Sequence, residues 1–411
     1  MHYHIRRGMK TSFGPKPEGA PVDMPAVNTI AMLGDDYPNV VFDLHVKECD
    51  AVRAGQTLCV DRHHPDIHFV ANACGRVSNI KLGPRRKLAL LEIAVEGDDV
   101  ITFAEYDIRK LLLKAGAWSS FRTRPFGLIP DPATSPAAIF VTATKVSLQA
   151  PDPRNVIAAE TASFQRGAEA LLHLTSGPTY VCQRQGKPLV TPNDRLKIAT
   201  FSGPDASGFA GPQIHRLMPT SRQRMVWEIG YQDVVAIGHL LETGQVMTSR
   251  IVALSGPSQT HAETVSVPIG AKIADVLKGM AAYDAQSALS GSFMAGQQVQ
   301  YLRRKELQIT VLDKGAKPRS FWRHLLDALP AAPIGATQPM EAFERVFPFD
   351  ILPTPLMRAL AVGDIETAER LGCLELLEED MAPLSSLCPS GSDYSQLLRH
   401  TFNLILDEWV G

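Results

Sequence analysis

Two successive segments near the N-terminus alternate apolar and polar residues around a glycine, and no other feature of the chain restricts its fold more. The segment LHVKECDAVRAGQTL at 44–58 turns at Gly55, and ANACGRVSNI at 71–80 repeats the pattern around Gly75. Alternation with a period of two is typical of half-buried strands, and glycine is typical of the turns that bound them. The sequence therefore predicts two consecutive short β-units.

This arrangement resembles the barrel-sandwich hybrid of the biotinyl/lipoyl type, in which a V-x-x-G-x-x-L half faces a G-x-V half across a hairpin. Modified members of that fold carry a lysine at the hairpin tip. The corresponding stretch here, DRHHPDIHF at 61–69, contains no lysine. The resemblance therefore implies a structural barrel-sandwich hybrid domain, which we assign to residues 1–100.

Short β-rich runs alternate with helical patterns between residues 138 and 254, which is typical of an α/β domain. We expect strands at IFVTA (139–143), TYVCQ (179–183) and LKIATF (196–201), and a helix at FQRGAEALLHLTSG (164–177). A further amphipathic helix is predicted from six apolar positions: Val226, Ile229, Val234, Ile237, Leu240 and Leu241. We assign a Rossmann-like α/β domain to residues 101–247.

The remaining third predicts two smaller domains. RIVALSGP at 250–257, VSVPIG at 265–270 and AKIADVLKG at 271–279 give the order strand, strand, helix, which resembles the β-grasp module that binds soluble ligands (SLBB-like), over residues 248–320. A Pro- and Ala-rich connector at 329–339 leads into a helical domain over 321–411. Within it, Asp364 is expected to cap one helix and Gly372 to end it. The fold class is thus multi-domain, α/β and α+β.

Composition excludes several classes of protein. The net charge of −2 gives no excess of basic residues, which argues against a nucleic-acid-binding protein. The six cysteines form no C-x-x-C pair, so we expect reduced thiols and neither disulfides, a zinc site nor an iron–sulfur cluster. No apolar run approaches the roughly 20 residues that cross a bilayer. Residues 1–8 lack the apolar core of a secretory signal, which favours the cytoplasm.

Cofactor and metal motifs are weak. The loop SGPDASGFAGPQIH at 202–215 lacks the G-x-G-x-x-G spacing that brings backbone amides to a pyrophosphate, so we interpret it as a turn between strand and helix. His64, Asp66 and His68 have the donor atoms for a divalent metal, but an exposed hairpin tip shows the same pattern. We therefore expect no cofactor and no metal in this chain.

Four segments together carry a more specific resemblance: SSFRTRPFGLIPDPATSPAAIFVTA at 119–143, WEIGYQDVVAIGHLLETG at 227–244, RIVALSGP at 250–257, and FPFDILPTPLMRALAVGD at 347–364 with LGCLELLEEDMAPLSSLCP at 371–389. They resemble the A subunit of the sodium-translocating NADH:quinone oxidoreductase. The resemblance implies a peripheral protein on the cytoplasmic side of a bacterial inner membrane, held there by the other subunits. It also implies that FMN, FAD, riboflavin and a 2Fe-2S cluster belong to those partners and that ubiquinone is the substrate of the complex, so the isolated chain is expected to be inactive.

The best candidate for a functional site is FRTRPFGL at 121–128, because a quinone needs a flat apolar neighbour and donors for its two carbonyl oxygens. The family resemblance adds the segment MLGDDYPNV at 32–40. The predicted quinone-binding residues are Phe121, Arg122, Arg124, Pro125, Phe126, Leu33 and Tyr37. An equally weighted alternative is that RTRPF braces a domain interface through Arg–carboxylate pairs. The acidic run 378–380 is expected to be a solvated face or a contact with another subunit.

Two stretches differ from the pattern that is usual in the family. GPDASGFAGPQ at 203–213 stands in place of GPHPAGLxGTH, and YLRRKE at 301–306 stands in place of YLGRYH. A divergent paralogue that docks on another membrane complex, or an autonomous ligand-binding or scaffolding protein, therefore stays an open alternative. A flavin-dependent NADH dehydrogenase is disfavoured, since the phosphate loop and the grouped cysteine ligands are missing.

Overall fold

The computed structural model describes residues 1–9, 14–19, 21–23, 27–145, 147, 149–257, 259–278, 287–293, 296–312 and 337–410. Most of the predicted Pro- and Ala-rich connector lies outside these residues. Mixed β and α/β structure occupies the chain up to residue 312, and helices follow from residue 341.

The first β-rich region folds into small antiparallel sheets that share one core. Its strands pair in the orders β3-β9-β8-β5 and β4-β6-β7, as the two predicted β-units require. Gly75 permits this close packing, because a Cβ atom there would lie 2.0 Å from the Ala94 carbonyl oxygen. The strands of residues 1–100 are β1 (His2–His4), β2 (Val22–Asp23), β3 (Thr29–Leu33), β4 (Phe42–Leu44), β5 (Ala51–Val52), β6 (Thr57–Asp61), β7 (His68–Val70), β8 (Gly75–Leu82) and β9 (Leu88–Val95).

The second region is a largely parallel sheet with helices packed against it. The strand order is β1-β13-β12-β11-β14-β10, in which β10 alone among the described strands runs antiparallel to its neighbour. Strand β1 joins this sheet although it precedes the N-terminal barrel in sequence. The elements are α1 (Ile108–Lys114), β10 (Arg122–Arg124), β11 (Ile139–Ala143), α2 (Pro153–Ala159), α3 (Thr161–Ala170), β12 (Thr179–Arg184), β13 (Leu196–Ser202), α4 (Ala210–Leu217), β14 (Val226–Gly230) and α5 (Tyr231–Thr243).

Two helix predictions in this region need correction. The amphipathic helix expected from Val226 onward is a buried strand up to Gly230, and the helix α5 begins only at Tyr231. A fully buried parallel strand is a short continuous apolar run, which periodicity cannot separate from helix. The helix expected at 164–177 begins earlier, at Thr161, and gives way to a 3-10 turn after Ala170.

Helices α3 and α5 touch through their backbones because each contributes a glycine to the contact. A Cβ atom on Gly167 would lie 2.0 Å from the Val234 carbonyl oxygen, and one on Gly238 would lie 1.7 Å from that of Ser163. Both distances are far below any real Cβ contact, so no larger residue fits here without moving a helix. This contact fixes α5, whose first residues line a cavity described below.

The third region is a mixed sheet whose strands pair in the order β17-β18-β15-β16-β2. The predicted order of strand, strand and helix is present, and β2 from the N-terminal segment adds a parallel edge to it. Its elements are β15 (Ser249–Ser255), β16 (Glu263–Pro268), α6 (Ile273–Lys278), β17 (Ser287–Ser290) and β18 (Gln308–Leu312).

The C-terminal region is helical and has its own apolar core. Asp364 caps one helix as predicted, since its side chain accepts a hydrogen bond from the Thr367 amide, and Gly372 follows that helix with a left-handed φ of 100°. Phe343, Phe349 and Phe402 are fully buried in the core. The helices are α7 (Glu341–Val346), α8 (Pro353–Val362), α9 (Ile365–Arg370), α10 (Glu378–Leu387) and α11 (Tyr394–Val410).

Candidate functional site

Strand β10 carries the predicted site segment and lies at one edge of the α/β sheet, paired with β14. The Phe121 ring, just before the strand, is fully buried. Its centroid lies 5.5 Å from that of Trp118 and 5.6 Å from that of Trp227. These contacts make Phe121 part of the core in this structure, with no face open to a ligand.

Arg124 is fully buried and ties the α/β sheet to the helical region. Its Nε donates to Glu228 at 2.6 Å, Nη1 donates to Asp380 at 2.8 Å and Nη2 donates to Glu379 at 3.2 Å. Arg122 adds a second pair with Glu379, at 3.2 Å. The Arg–carboxylate pairs that the interface alternative expects are therefore present.

The acidic run 378–380 is not the solvated face that the sequence suggested. Asp380 is 6% exposed and accepts from the Leu377 amide as well as from Arg124. Three carboxylates here face two guanidinium groups, and burial raises the pKa of Asp380 to about 6. Burial also acts on Glu379, but the adjacent guanidinium groups of Arg122 and Arg124 outweigh it and lower the pKa of Glu379 to about 2.

Phe126 points into the helical core. It is 3% exposed, and its ring centroid lies 5.4 Å from that of Phe402 in α11 in an edge-on contact. Its carbonyl oxygen accepts from Arg399 Nη1 at 2.8 Å, and the Arg124–Pro125 peptide before it is cis. Arg122 and Arg124 thus connect the sheet to α10, and Phe126 connects it to α11.

Leu33 and Tyr37 lie in the N-terminal barrel. Leu33 ends β3 opposite Leu90, and the Tyr37 ring packs edge-on against Phe42 and Phe69. Burial raises the pKa of Tyr37 to about 12, so its phenol keeps its proton and can donate a hydrogen bond.

A short loop in YLRRKE brings the two predicted segments together. Arg303 Nε donates to Asp36 at 2.6 Å, next to Tyr37. Arg304 Nη2 donates to the Ser120 hydroxyl at 2.8 Å, next to Phe121. The sequence had marked this loop only as a departure from the family pattern, so both arginines were missed as site residues.

The loop borders a small, partly open space that we call the junction cavity. Its volume is about 60 Å³, and its polar walls come from all three β-containing regions: Tyr37, Ser120, Asp233, Arg250 and Arg304. A cavity of about 150 Å³ is needed to hold a benzene ring. The junction cavity is therefore too small for a quinone in this conformation.

A larger and more open space, which we call the α11 groove, lies between the N-terminal barrel and the last helix. Its volume is about 270 Å³. The Oδ1 atom of Asn403 is buried there and has no hydrogen-bond partner among the described residues. The groove is lined by Asn39, Val40, Val41, Lys87, Asn403, Leu406 and Asp407.

Both predicted segments support the walls of the α11 groove from behind. The Tyr37 carbonyl oxygen accepts from the Val40 amide at 3.3 Å, which sets the course of the chain along one wall. On the other side Phe126 packs against Phe402, the residue before Asn403. Tyr37 and Phe126 therefore support this groove without lining it.

His68, at the hairpin tip, contacts the neighbouring strand β6. His68 Nδ1 lies 2.9 Å from the Thr57 hydroxyl, and the pKa of His68 is lowered mainly by burial. No cluster of three or more His, Cys, Asp or Glu side chains suited to a metal occurs among the described residues. Nor does any helix in the described part of the chain have the length and hydropathy to span a membrane.

Family models match the first two of these regions, in the same order along the chain. Residues 3–96 match the family model of the NqrA N-terminal barrel-sandwich hybrid domain, and residues 103–246 match that of the NqrA second alpha/beta domain. The A subunit of the Na(+)-translocating NADH-quinone reductase from Neisseria meningitidis serogroup B is 35% identical, with 98% of this chain and 99% of that protein covered. Its counterpart from Serratia proteamaculans is 36% identical over the same shares. The chain belongs to the NqrA family, whose members form the A subunit of the Na(+)-translocating NADH-quinone reductase.

Proposed function

We propose that this chain is a peripheral subunit that contributes part of a quinone site to the complex, in the α11 groove. The proposal also places the chain on the cytoplasmic side of the bacterial inner membrane, attached through partner subunits. Flavins and the 2Fe-2S cluster belong in this proposal to the partners, and ubiquinone is the substrate. We extend the proposal to the finer fold assignments, a Rossmann-like sheet for the second region and a β-grasp module for the third.

Size is the observation that carries the quinone proposal. The α11 groove offers about 270 Å³, against about 60 Å³ in the junction cavity. A single aromatic ring occupies a cavity of about 150 Å³, and pockets for small ligands begin near 300 Å³. Of the two spaces, the groove is the one that accommodates a quinone ring without rearrangement.

The chemistry of the groove suits the same ligand. Val40, Val41 and Leu406 supply apolar wall for the ring faces. Lys87 and the Asn403 amide supply polar atoms near them. A quinone carbonyl accepts a hydrogen bond from an ammonium or amide N–H, so Lys87 and the Asn403 amide group are suitable donors for it.

The predicted residues at 121–126 enter this proposal as supports. Arg122 and Arg124 hold the helical region against the α/β sheet through their carboxylate pairs. Phe126 holds Phe402 and thereby the face of α11 that borders the groove. Changing these residues is expected to alter quinone binding by moving α11, whereas changing Val41 acts on the ligand directly.

The experiment fills the groove and leaves the supports intact. Val41→Trp places an indole where the ring would bind, and Val362→Trp is the matched control, since Val362 is 79% exposed at the end of α8. We expect the affinity of the purified chain for a ubiquinone analogue to fall at least tenfold in Val41→Trp, a loss of about 1.4 kcal/mol in binding free energy. The affinity of the control should stay unchanged. Equal affinity in all three proteins, with matching thermal stability, would remove the groove from consideration.

The Arg122→Ala and Phe126→Ala variants test the supporting role. Weaker binding in these variants together with increased hydrogen exchange in α11 is expected, because their effect passes through the position of that helix. Co-purification from native membranes separates this function from the paralogue alternative. Recovery of the chain without other subunits of the reductase would favour a scaffold on a different complex. Flavin absorbance in the purified chain would contradict the proposal that all the flavins belong to partner subunits.

A further inference from the structure

The junction cavity contains an excess of buried positive charge. Asp233 Oδ1 accepts from the Ser120 hydroxyl at 3.3 Å, from Arg250 Nη2 at 3.1 Å and from Arg304 Nη1 at 3.0 Å. A single carboxylate thus faces two guanidinium groups, whose side chains are 5% and 14% exposed. One carboxylate neutralises only one of these two groups. The second guanidinium group is therefore buried without a counter-charge, which is energetically costly.

Neighbouring charges do not restore the balance. Asp36 lies close by, but its carboxylate is paired with Arg303 at 2.6 Å. Lys305, the next residue after Arg304, does not line the cavity, and burial lowers its pKa to about 7, so its charge is left out of the balance. The described side chains around the cavity therefore leave a net charge of about +1 on its walls, which an anion would neutralise.

Arg250 shows where an anion would bind. The residue is 6% exposed, lines the cavity, and its Nε atom is buried without a hydrogen-bond partner among the described residues. Helix α5, of 13 residues, begins beside it, and its N-cap Gly230 offers no side-chain cap. An unpaired guanidinium N–H favours an acceptor with negative charge, and the dipole of a helix N-terminus acts in the same direction.

The volume limits the size of the ligand. A space of about 60 Å³ exceeds what one water molecule needs and is smaller than a benzene-binding cavity. We propose that the junction cavity binds a small monovalent oxyanion of about four heavy atoms, such as a short carboxylate or hydrogen carbonate. Two oxygen atoms of such an oxyanion can accept hydrogen bonds from two N–H groups of one guanidinium group. A spherical halide lacks this paired geometry.

Binding has a structural consequence beyond the cavity itself. Tyr37 belongs to the N-terminal barrel, Ser120 and Asp233 to the α/β region, and Arg250 to the mixed sheet. An anion bound to Arg250 therefore connects three parts of the chain through one buried ligand. Because only the assembled arrangement offers this site, occupancy stabilises the relative positions of the three regions by mass action.

Calorimetric titration of the full chain with acetate, at constant ionic strength set by a bulky anion, tests the proposal. We expect saturable binding of one acetate per chain and a thermal midpoint that rises with acetate concentration. Ala236→Leu fills the cavity and keeps every charge, and its affinity is expected to fall at least about tenfold. Ala361→Leu on α8 is the matched control, a partly exposed helical alanine distant from the lining residues, and should bind as the wild type does.

A second variant addresses charge instead of space. Arg250→Gln keeps a polar side chain and removes the excess positive charge, so acetate binding is expected to be lost. If this variant fails to fold, Ala236→Leu and chloride titration of the wild type still decide the matter. Absence of saturable acetate binding, equal binding in Ala236→Leu, or equal response to chloride would show that the cavity holds only water or that the effect is one of ionic strength.

Discussion

Replacement of Arg124 by methionine is the most informative test of how the helical region is attached. The change keeps most of the side-chain volume and removes a guanidinium group that is fully buried. It leaves Glu228 and Asp380, which are 8% and 6% exposed, without the donor that they share. Removing one partner of a buried ion pair costs about 3–5 kcal/mol, and the loss of the more exposed Glu379 pair adds at most about 1 kcal/mol.

The assay is native-state hydrogen exchange of the amides in α10, which reports the local opening of the helical region. Arg345→Met is the control, because its pair with Glu341 joins side chains that are 71% and 77% exposed. The control should change the opening free energy by less than about 0.5 kcal/mol. An effect of Arg124→Met below about 1 kcal/mol would refute the argument that this buried network holds the two regions together.

The loss of stability in Arg124→Met should depend on pH. Burial raises the pKa of Asp380 to about 6, above the value near 3.9 of an unfolded aspartate. The ionised carboxyl therefore opposes folding, and this penalty is absent below about pH 3.9, develops between about pH 3.9 and about pH 6, and is complete above that. Without Arg124, which lowers that pKa, the penalty grows. The deficit of Arg124→Met is thus expected to be larger at about pH 8 than at about pH 5.

Three further outcomes follow from local structure. Gly238→Ala should destabilise the protein by about 1–3 kcal/mol in thermal unfolding, since the new methyl group would lie 1.7 Å from the Ser163 carbonyl oxygen; no change would contradict the backbone contact of α3 and α5. Asp364→Ala should cost about 1 kcal/mol in the opening of α9 measured by hydrogen exchange, and Asp364→Ser should recover most of it. Burial raises the pKa of the Cys59 thiol, so alkylation followed by mass spectrometry should modify the exposed Cys49 first, and equal rates would be inconsistent with this core.

Local sequence patterns predicted the elements whose determinants lie within a few residues. The strand at 139–143 was confirmed at its stated limits, and the cap at Asp364 was confirmed by its bond to the Thr367 amide. The stretch from Val226 was predicted as helix, because the spacing of Val226 and Ile229 fits a helical face as well as a buried strand. Only the neighbouring strands of the sheet decide between the two.

The site was harder to predict because its partners are far apart in sequence. Arg124 and Asp380 are separated by 256 residues, so the acidic run gave no sign that Asp380 would be buried against an arginine. The contact of Arg304 with Ser120 spans 184 residues. The seven predicted quinone residues stay a prediction. The contacts of Tyr37 and Phe126 with the walls of the α11 groove depend on how distant regions pack, which no local pattern encodes.

The pairing of β1 with β13 has a consequence for synthesis of the chain. His2 bonds to Thr200 across a separation of 198 residues, so β1 must wait during synthesis for the strand that receives it. At a translation rate of roughly 5–20 residues per second, this wait lasts about 10–40 s. During this wait the N-terminal barrel can form, although β13 has not yet been synthesised. A bulky N-terminal fusion that delays β1 would leave the open edge of β13 uncovered in the finished chain, available for pairing with a second nascent copy.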